Sequence, residues 1–171
     1  MKRTRGYVIP LALSAFAAFQ AGPAAAVDVF LRLDGINGGS TAQGYAGQID
    51  VLAWSWQLSR PVDNGQPGQT VIRPIKIEKS VDIASAELYK SLIKGSKIGT
   101  GDVVVTVIDG KDGGTSEIIK LALKDVIVSG IASGATGGDS ELTESVTLTF
   151  REVCFTYNED SKTTTCYTAP F

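Results

Sequence analysis

Two long runs in the second half of the chain alternate apolar and polar residues. Leu121 and Leu123 share one face of the first run, and Val146, Leu148 and Phe150 share one face of the second. Side chains alternate across a β-strand, so an apolar residue at every second position is typical of a strand that is buried on one face. The pattern therefore predicts two half-buried strands, joined by a segment rich in glycine and serine.

The alternation slips once in each run. In the first run it changes parity after Leu123, and in the second it changes parity after Phe150. One extra residue in a strand has this effect, so we predict β-bulges near Lys124–Asp125 and near Phe150–Glu152. Because bulges bend a sheet, the pattern favours a mainly β, barrel-like antiparallel domain made of two curled sheets.

Five segments follow one another in the order found in a known family. They are Asp28–Ile36 (DVFLRLDGI), Val51–Trp56 (VLAWSW), Asp125–Gly130 (DVIVSG), 137–139 (GGD) and Thr143–Phe150 (TESVTLTF). Together they span most of the chain, and they resemble the haemolysin-coregulated protein (Hcp) family, the tube subunits of bacterial type VI secretion. No single segment is as specific as a metal-ligand motif, so the resemblance depends on the ordered set.

The resemblance implies self-association. It implies a six-membered ring, the stacking of rings into a tube, and the passage of effectors through the lumen, with other type VI secretion components as possible partners. In the family an extended loop after the second strand mediates ring stacking, and it corresponds here to Ser59–Thr70. The residues implicated are those around the turn of this loop: Val62, Asp63, Asn64 and Gly65.

The first 26 residues have the pattern of a cleavable secretory signal peptide. Three basic residues precede the apolar run Val8–Phe19, which is too short to span a bilayer, and Ala24 and Ala26 supply small residues for cleavage. A buried first helix is the alternative, but the run lacks a polar stripe and contains Pro10. We therefore expect an exported protein, periplasmic or extracellular, with residues 27–171 forming one domain.

The charge and length of the exported chain limit the classes of partner that we expect. Removal of the leader leaves 145 of the 171 residues and takes the net charge from −2 to −5. That length suits one domain with a sizeable core. No basic run suits a phosphate backbone, so nucleic acid is not an expected partner. No second apolar stretch approaches the length of a membrane span.

The first half of the chain predicts three strands and one flanking helix. The strands are Asp28–Ile36, Gln48–Leu58 and Val71–Val81, and the helix is Ser85–Lys94. The second strand would place Leu52, Trp54, Trp56 and Leu58 on one face, and the third would place Val71, Ile75, Ile77 and Val81 on one face. Trp54 and Trp56 are expected in the core or at a subunit contact, with a sugar-stacking platform as the alternative.

The helix has recognisable ends. Ser85 is a suitable N-terminal cap and Gly95 a suitable stop, and Leu88, Leu92 and Ile93 form an apolar stripe. Between the second and third strands, the two prolines and two glycines of 59–70 predict a projecting loop that turns at Asp63–Gly65.

The two cysteines predict a C-terminal hairpin. A turn centred on Asp160 pairs Tyr157 with Thr163 and places Cys154 opposite Cys166. In an oxidising compartment this register favours a disulfide, and two free thiols are the alternative.

The composition excludes several classes of enzyme. The chain has no histidine, which rules out a Ser-His-Asp triad, a Cys-His pair and any histidine metal site. The densest acidic cluster, Glu141 and Glu144 with Asp139, resembles a glycosidase pair only weakly, and a structural hydrogen-bonding role for Glu144 is simpler. We expect no cofactor, no metal and no enzymatic activity. A monomeric β-barrel module that binds a sugar or protein through Trp54 and Trp56 remains the alternative function.

Overall fold

The computed structural model describes residues 27–108, 115–134, 141–158 and 163–168. The first strands are β1 (Val27–Leu33), β2 (Ile49–Val51), β3 (Ala53–Ser55), β4 (Leu58–Ser59), β5 (Val62–Asp63), β6 (Gln66–Pro67), β7 (Val71–Ile72) and β8 (Ile75–Ser80). Helix α1 (Ser85–Lys94) follows, and then β9 (Lys97–Ile108), β10 (Thr115–Gly134), β11 (Thr143–Thr149), β12 (Glu152–Tyr157) and β13 (Thr163–Thr168).

Nine strands form one antiparallel sheet in the order β2-β1-β9-β10-β11-β8-β3, with β12 pairing to β10 and β13 pairing to β12. The two ends of this order, β2 and β3, are separated in the chain only by Leu52, whose N–H donates to the carbonyl of Glu78 at 2.8 Å. The sheet therefore curls back on itself, although β2 and β3 form no ladder with each other. The predicted mainly β, barrel-like domain with one flanking helix is confirmed. In place of two curled sheets, the structure has one large sheet and two small two-stranded sheets, β4-β7 and β5-β6.

The hydrophobic core lies inside the curled sheet. Leu31 and Leu33 of β1 face inward together with Val103 of β9 and Leu121 of β10. The other fully buried apolar side chains are Ile49, Ile75, Ile77, Ala84, Leu88, Leu123, Val126, Val128, Val146 and Leu148. The alternation in the long runs thus predicted the buried face correctly, because one face of every long strand packs against the opposite wall.

The parity slip is real, but it has a different cause from the one predicted. Both Leu123 and Val126 are buried. Between them Asp125 has a positive φ of 51°, which turns the strand without adding a residue. The pairing of β10 with β12 and then β11 keeps one register across this bend. The register shifts of β10 lie elsewhere, at 117–119 and 128–130, so the two predicted bulge positions are wrong.

The second and third predicted strands are each interrupted. The second predicted strand is interrupted at Leu52, which is exposed, whereas Ile49 and Val51 before it are buried. Leu58 is exposed as well, so the predicted apolar face of the second strand packs against the core only at Trp54 and Trp56. Pro74 separates β7 from β8, as expected for a residue without an N–H to donate to a ladder. The outer residues of the third strand, Val71 and Val81, are exposed rather than in the core.

Helix α1 has the predicted bounds, and Gly95 closes it in the left-handed conformation, with its N–H donating to the carbonyl of Leu92. The N-cap, however, is Ala84, which makes no side-chain capping bond, and Ser85 is the first helical residue. Leu88 is buried against the sheet, but Ile93 is 81% exposed. The apolar stripe is therefore narrower than predicted.

Several predicted features lie outside the described residues: the leader 1–26 with its cleavage residues Ala24 and Ala26, and Asp139 of the acidic cluster. In the described part of the chain, no helix combines the length and apolar character needed to cross a membrane. The same residues contain no group of three or more acidic or cysteine side chains placed to hold a metal ion.

Candidate functional site

A two-stranded ribbon projects between β3 and β8. Leu58 pairs with Ile72 at its base, and β5 pairs with β6 at its tip. Asn64 and Gly65 connect β5 to β6 with φ values of 46° and 79°, the conformation that a two-residue hairpin turn of this type requires. The turn is where the sequence predicted it, and the predicted projecting loop contains two short strand pairs. We call residues 58–72 the ribbon.

Apolar side chains of the ribbon face solvent. Val62 is 67% exposed at the tip, and Leu58 and Val71 are also exposed. Arg60 is held within the ribbon, because its guanidinium donates two hydrogen bonds to Thr70 Oγ1 at 2.6 and 3.0 Å. Exposed apolar side chains clustered on one projecting element are typical of an interaction surface.

A groove of about 380 Å³ lies at the base of the ribbon. Its apolar wall is Trp56 and Pro74, and its charged wall is Arg73 and Lys76. Trp56 Nε1 donates to the carbonyl of Arg73 at 3.1 Å, and its ring meets Phe150 edge-on at 6.2 Å between centroids. We call this the base groove.

Trp54 and Trp56 are both half-buried and pack against the hydrophobic core. Their placement agrees with the expected core or contact role, and it leaves only part of each ring accessible. A flat sugar-stacking platform needs exposed ring faces, so this packing gives the alternative little support.

A buried ion pair lies at the other end of β8 and β11. Lys79 and Glu144 sit directly opposite each other, with side-chain exposures of 0% and 1%. Lys79 Nζ lies 2.8 Å from Glu144 Oε1 and 2.7 Å from Asp82 Oδ1, and it donates to the carbonyl of Ser80 at 2.7 Å. A buried ammonium needs partners on all sides, and here it has them.

The same network fastens helix α1 to the sheet. Ser85 Oγ donates to Glu144 Oε1 at 2.7 Å and accepts the N–H of Asp82 at 3.1 Å. Ser133 Oγ on β10 donates to Glu144 Oε2 at 3.3 Å and is itself hydrogen-bonded to Tyr89 at 2.6 Å. Glu144 thus joins β8, β10, β11 and the start of the helix. The structural hydrogen-bonding role expected for Glu144 is what the geometry shows.

A loop covers the outer face of β1. Tyr45 stacks on Phe30 with 4.2 Å between ring centroids, and its hydroxyl donates to Glu117 Oε1 at 3.1 Å. Burial, reinforced by the negative charge of Glu117, raises the pKa of Tyr45 to about 12. The loop closes tightly at Gly38, where a Cβ would lie 2.2 Å from the carbonyl oxygen of Gln48.

Beside this loop lies a polar cleft of about 280 Å³. Arg32 is hydrogen-bonded through its guanidinium to Asp102, and Lys120 Nζ lies 3.7 Å from the same carboxylate. Hydrogen bonding from Thr100, followed by the nearby Arg32 charge, lowers the pKa of Asp34. These charges pair with one another across β1, β9 and β10, which gives the cleft a structural role.

The C-terminal hairpin has the predicted register. Tyr157 pairs with Thr163, and Cys154 lies opposite Cys166, to which it is joined by a disulfide. The turn of the hairpin lies outside the described residues. Tyr167 faces the opposite side from the disulfide and packs against the core.

Comparison with known proteins identifies the family. Residues 30–157 match the family model described as "Type VI secretion system effector, Hcp". The chain belongs to the Hcp family. The match ends before β13, so the second cysteine of the disulfide lies outside it.

Relatives and solved structures agree with this assignment. The Hcp chain is 30% identical over 137 residues to protein Hcp1 of Pseudomonas aeruginosa, covering 77% of this chain and 83% of that protein. It is similar in structure to Hcp1 of Escherichia coli EAEC 042, with a TM-score of 0.73, 26% identity and coverage of 83% and 97%. For Hcp1 of Salmonella typhimurium the TM-score is 0.71, with 25% identity and coverage of 84% and 94%.

Lys79 is the residue of the buried network that sequence reasoning missed. It falls in phase with Ile75 and Ile77 on the buried face of β8, just as Glu144 falls in phase with Val146 on β11. A lysine and a glutamate that both continue an apolar alternation indicate a buried pair, provided the two strands are known to be neighbours.

Proposed function

We propose that this Hcp protein associates with itself into a closed ring, six-membered as the family resemblance implies. Rings of this kind stack into a tube that lets type VI effectors pass. The match of residues 30–157 to the Hcp family supports the ring, and the projecting ribbon, on which Val62 and Leu58 are exposed, supports the stacking of rings. Most soluble oligomers are built from copies of one chain and have closed symmetry.

The fold is consistent with a structural role. The buried charges Lys79 and Glu144 form an ion pair, and Ser85 at the start of the helix is hydrogen-bonded to Glu144. These charges therefore hold strands and helix together. Export through the leader belongs to the same proposal. A disulfide between Cys154 and Cys166 suits an oxidising compartment better than the cytoplasm.

The first prediction concerns the ring. Residues 28–171, purified without the leader, are expected to form one closed oligomer, a hexamer, at micromolar concentration. Native mass spectrometry and light scattering over a hundredfold range of concentration measure its mass. A monomer throughout that range would contradict the ring and favour the monomeric binding module instead.

The second prediction concerns the ribbon. Replacing Val62–Gly68 by a short Gly/Ser linker is expected to abolish stacked assemblies and leave the single ring, because the backbone there is exposed and outside the core. Sedimentation velocity separates rings from stacks, and circular dichroism reports folding. Stacks that persist would show that the ribbon does not mediate stacking, whereas loss of the fold would show that the ribbon packs into the core.

A further inference from the structure

The ribbon tip and the base groove have complementary chemistry. The groove combines an apolar wall, Trp56 and Pro74, with two cations, Arg73 and Lys76, and no acidic residue lines it. The tip presents an exposed valine, Val62, next to the only acid of the ribbon, Asp63.

The charges on both surfaces lack partners. In the described part of the chain, the side chains of Asp63, Arg73 and Lys76 take part in no hydrogen bond or ion pair. By contrast, the other charge on the ribbon, Arg60, is tied to Thr70 by two hydrogen bonds. Unpaired charges of opposite sign on a tip and in a groove are what a charge-matched contact requires.

A single copy does not fill its own groove. The residues that line the groove come from 55–57, 73–76 and Thr147, and none belongs to the tip. The four residue steps from Leu58 to Val62 extend over roughly 13 Å at the rise of a β-strand, which carries the tip away from the base. A ribbon tip that enters this groove must therefore belong to a second molecule.

We propose that the base groove of one copy receives the ribbon tip of a second copy. Val62 packs against Trp56 and Pro74, and the Asp63 carboxylate pairs with Arg73 and Lys76. This inference rests on the proposed self-association and names the surface that the ribbon contacts. It assigns the half-buried Trp56 a place in an interface, because the part of its ring that the core leaves open forms a wall of the groove.

Charge reversal tests the contact in the protein expressed from the full-length chain. Asp63→Lys is expected to weaken the formation of stacked assemblies on the order of tenfold or more, and so is Arg73→Glu combined with Lys76→Glu. Because every contact joins a tip to a groove of another copy, the three substitutions together restore opposite charges. The triple variant is therefore expected to assemble within about threefold of the unmodified protein.

Two matched variants control for net charge. Asp50→Lys matches the reversal at the tip, and Lys94→Glu with Lys97→Glu matches the double reversal in the groove. All three positions are exposed and lie outside ribbon and groove, and these variants are expected to leave assembly unchanged. The inference is overturned if the reversals at the tip and groove have no more effect than these controls, or if the triple variant assembles no better than either reversal. Unmodified protein that stays monomeric overturns the proposed self-association itself.

A second measurement does not depend on charge. Val62→Cys together with Gln57→Cys places one thiol at the tip and one beside the groove. Mild oxidation is expected to yield covalent dimers and larger species on a non-reducing gel, and Val62→Cys alone is expected to yield far less. A product of monomer mass only would show that tip and groove of different copies do not meet.

Discussion

Replacing Lys79 by methionine is expected to lower the free energy of unfolding by about 3–5 kcal/mol. The substitution preserves most of the side-chain volume and removes the ammonium that lies 2.8 Å from Glu144 Oε1. The Glu144 carboxylate then stays buried, with hydrogen bonds from Ser85 and Ser133 but no cation. An unpaired buried charge is among the most costly single defects in a folded protein, which is why this effect should be large.

A double substitution separates the cost of leaving one buried charge unpaired from the cost of losing the ion pair itself. Lys79→Met with Glu144→Leu removes both charges, and it is expected to recover much of the stability, because an apolar pair packs in the same space. Urea unfolding at constant protein concentration measures the four proteins of the cycle. Urea is preferable to guanidinium, which would screen the charges.

An exposed ion pair in the same protein supplies the control. Lys90 and Glu87 on helix α1 approach to 2.8 Å, with side-chain exposures of 54% and 50%. Lys90→Met is expected to change the free energy of unfolding by less than about 1 kcal/mol. If Lys79→Met proves as mild as this control, or if the double variant is no more stable than the single one, the buried pair does not support the fold as argued.

The same pair shows how far the sequence predicts the site. Alternation placed Ile75, Ile77 and Val146 on buried faces, and the structure confirms them. The alternation itself continues to Lys79 and Glu144, but a charge at the end of an apolar series normally marks where the buried face stops. Recognising the pair needs the β8–β11 ladder, and this long-range pairing is not encoded in the local pattern of either strand.

Local chemistry predicted the turns better than it predicted exposure. Asn64-Gly65 and Gly95 supply the positive φ values that their turns need, and both fall where the sequence indicated. Leu52 and Ile93, by contrast, are exposed although their spacing places them on apolar faces. Which face a residue occupies there depends on long-range packing, which the local spacing of apolar residues does not encode.

Removing the disulfide is expected to release the C-terminal hairpin. Cys154 and Cys166 are 12 residues apart, and closing a loop of that length stabilises a protein by about 3 kcal/mol in the chain-entropy relation. Cys154→Ser with Cys166→Ser should therefore lower the free energy of unfolding by up to about that amount. Hydrogen exchange should accelerate in β13, which in the described chain pairs only with β12. Ring assembly should persist, because β12 still pairs with β10.

Protein from a single preparation tests both the disulfide prediction and the export prediction. Protein recovered from the periplasm is expected to lack the leader, cleaved after Ala26, and to have the intact mass of the disulfide-bonded form under non-reducing conditions. Alkylation before and after reduction counts the free thiols. The doubly substituted variant has no thiol at either position, so its mass should not change on alkylation. Two alkylated thiols without reduction would refute the disulfide. An uncleaved leader on cytoplasmic protein would refute export to an oxidising compartment. The bond between Cys154 on β12 and Cys166 on β13 would then lack the conditions that favour it.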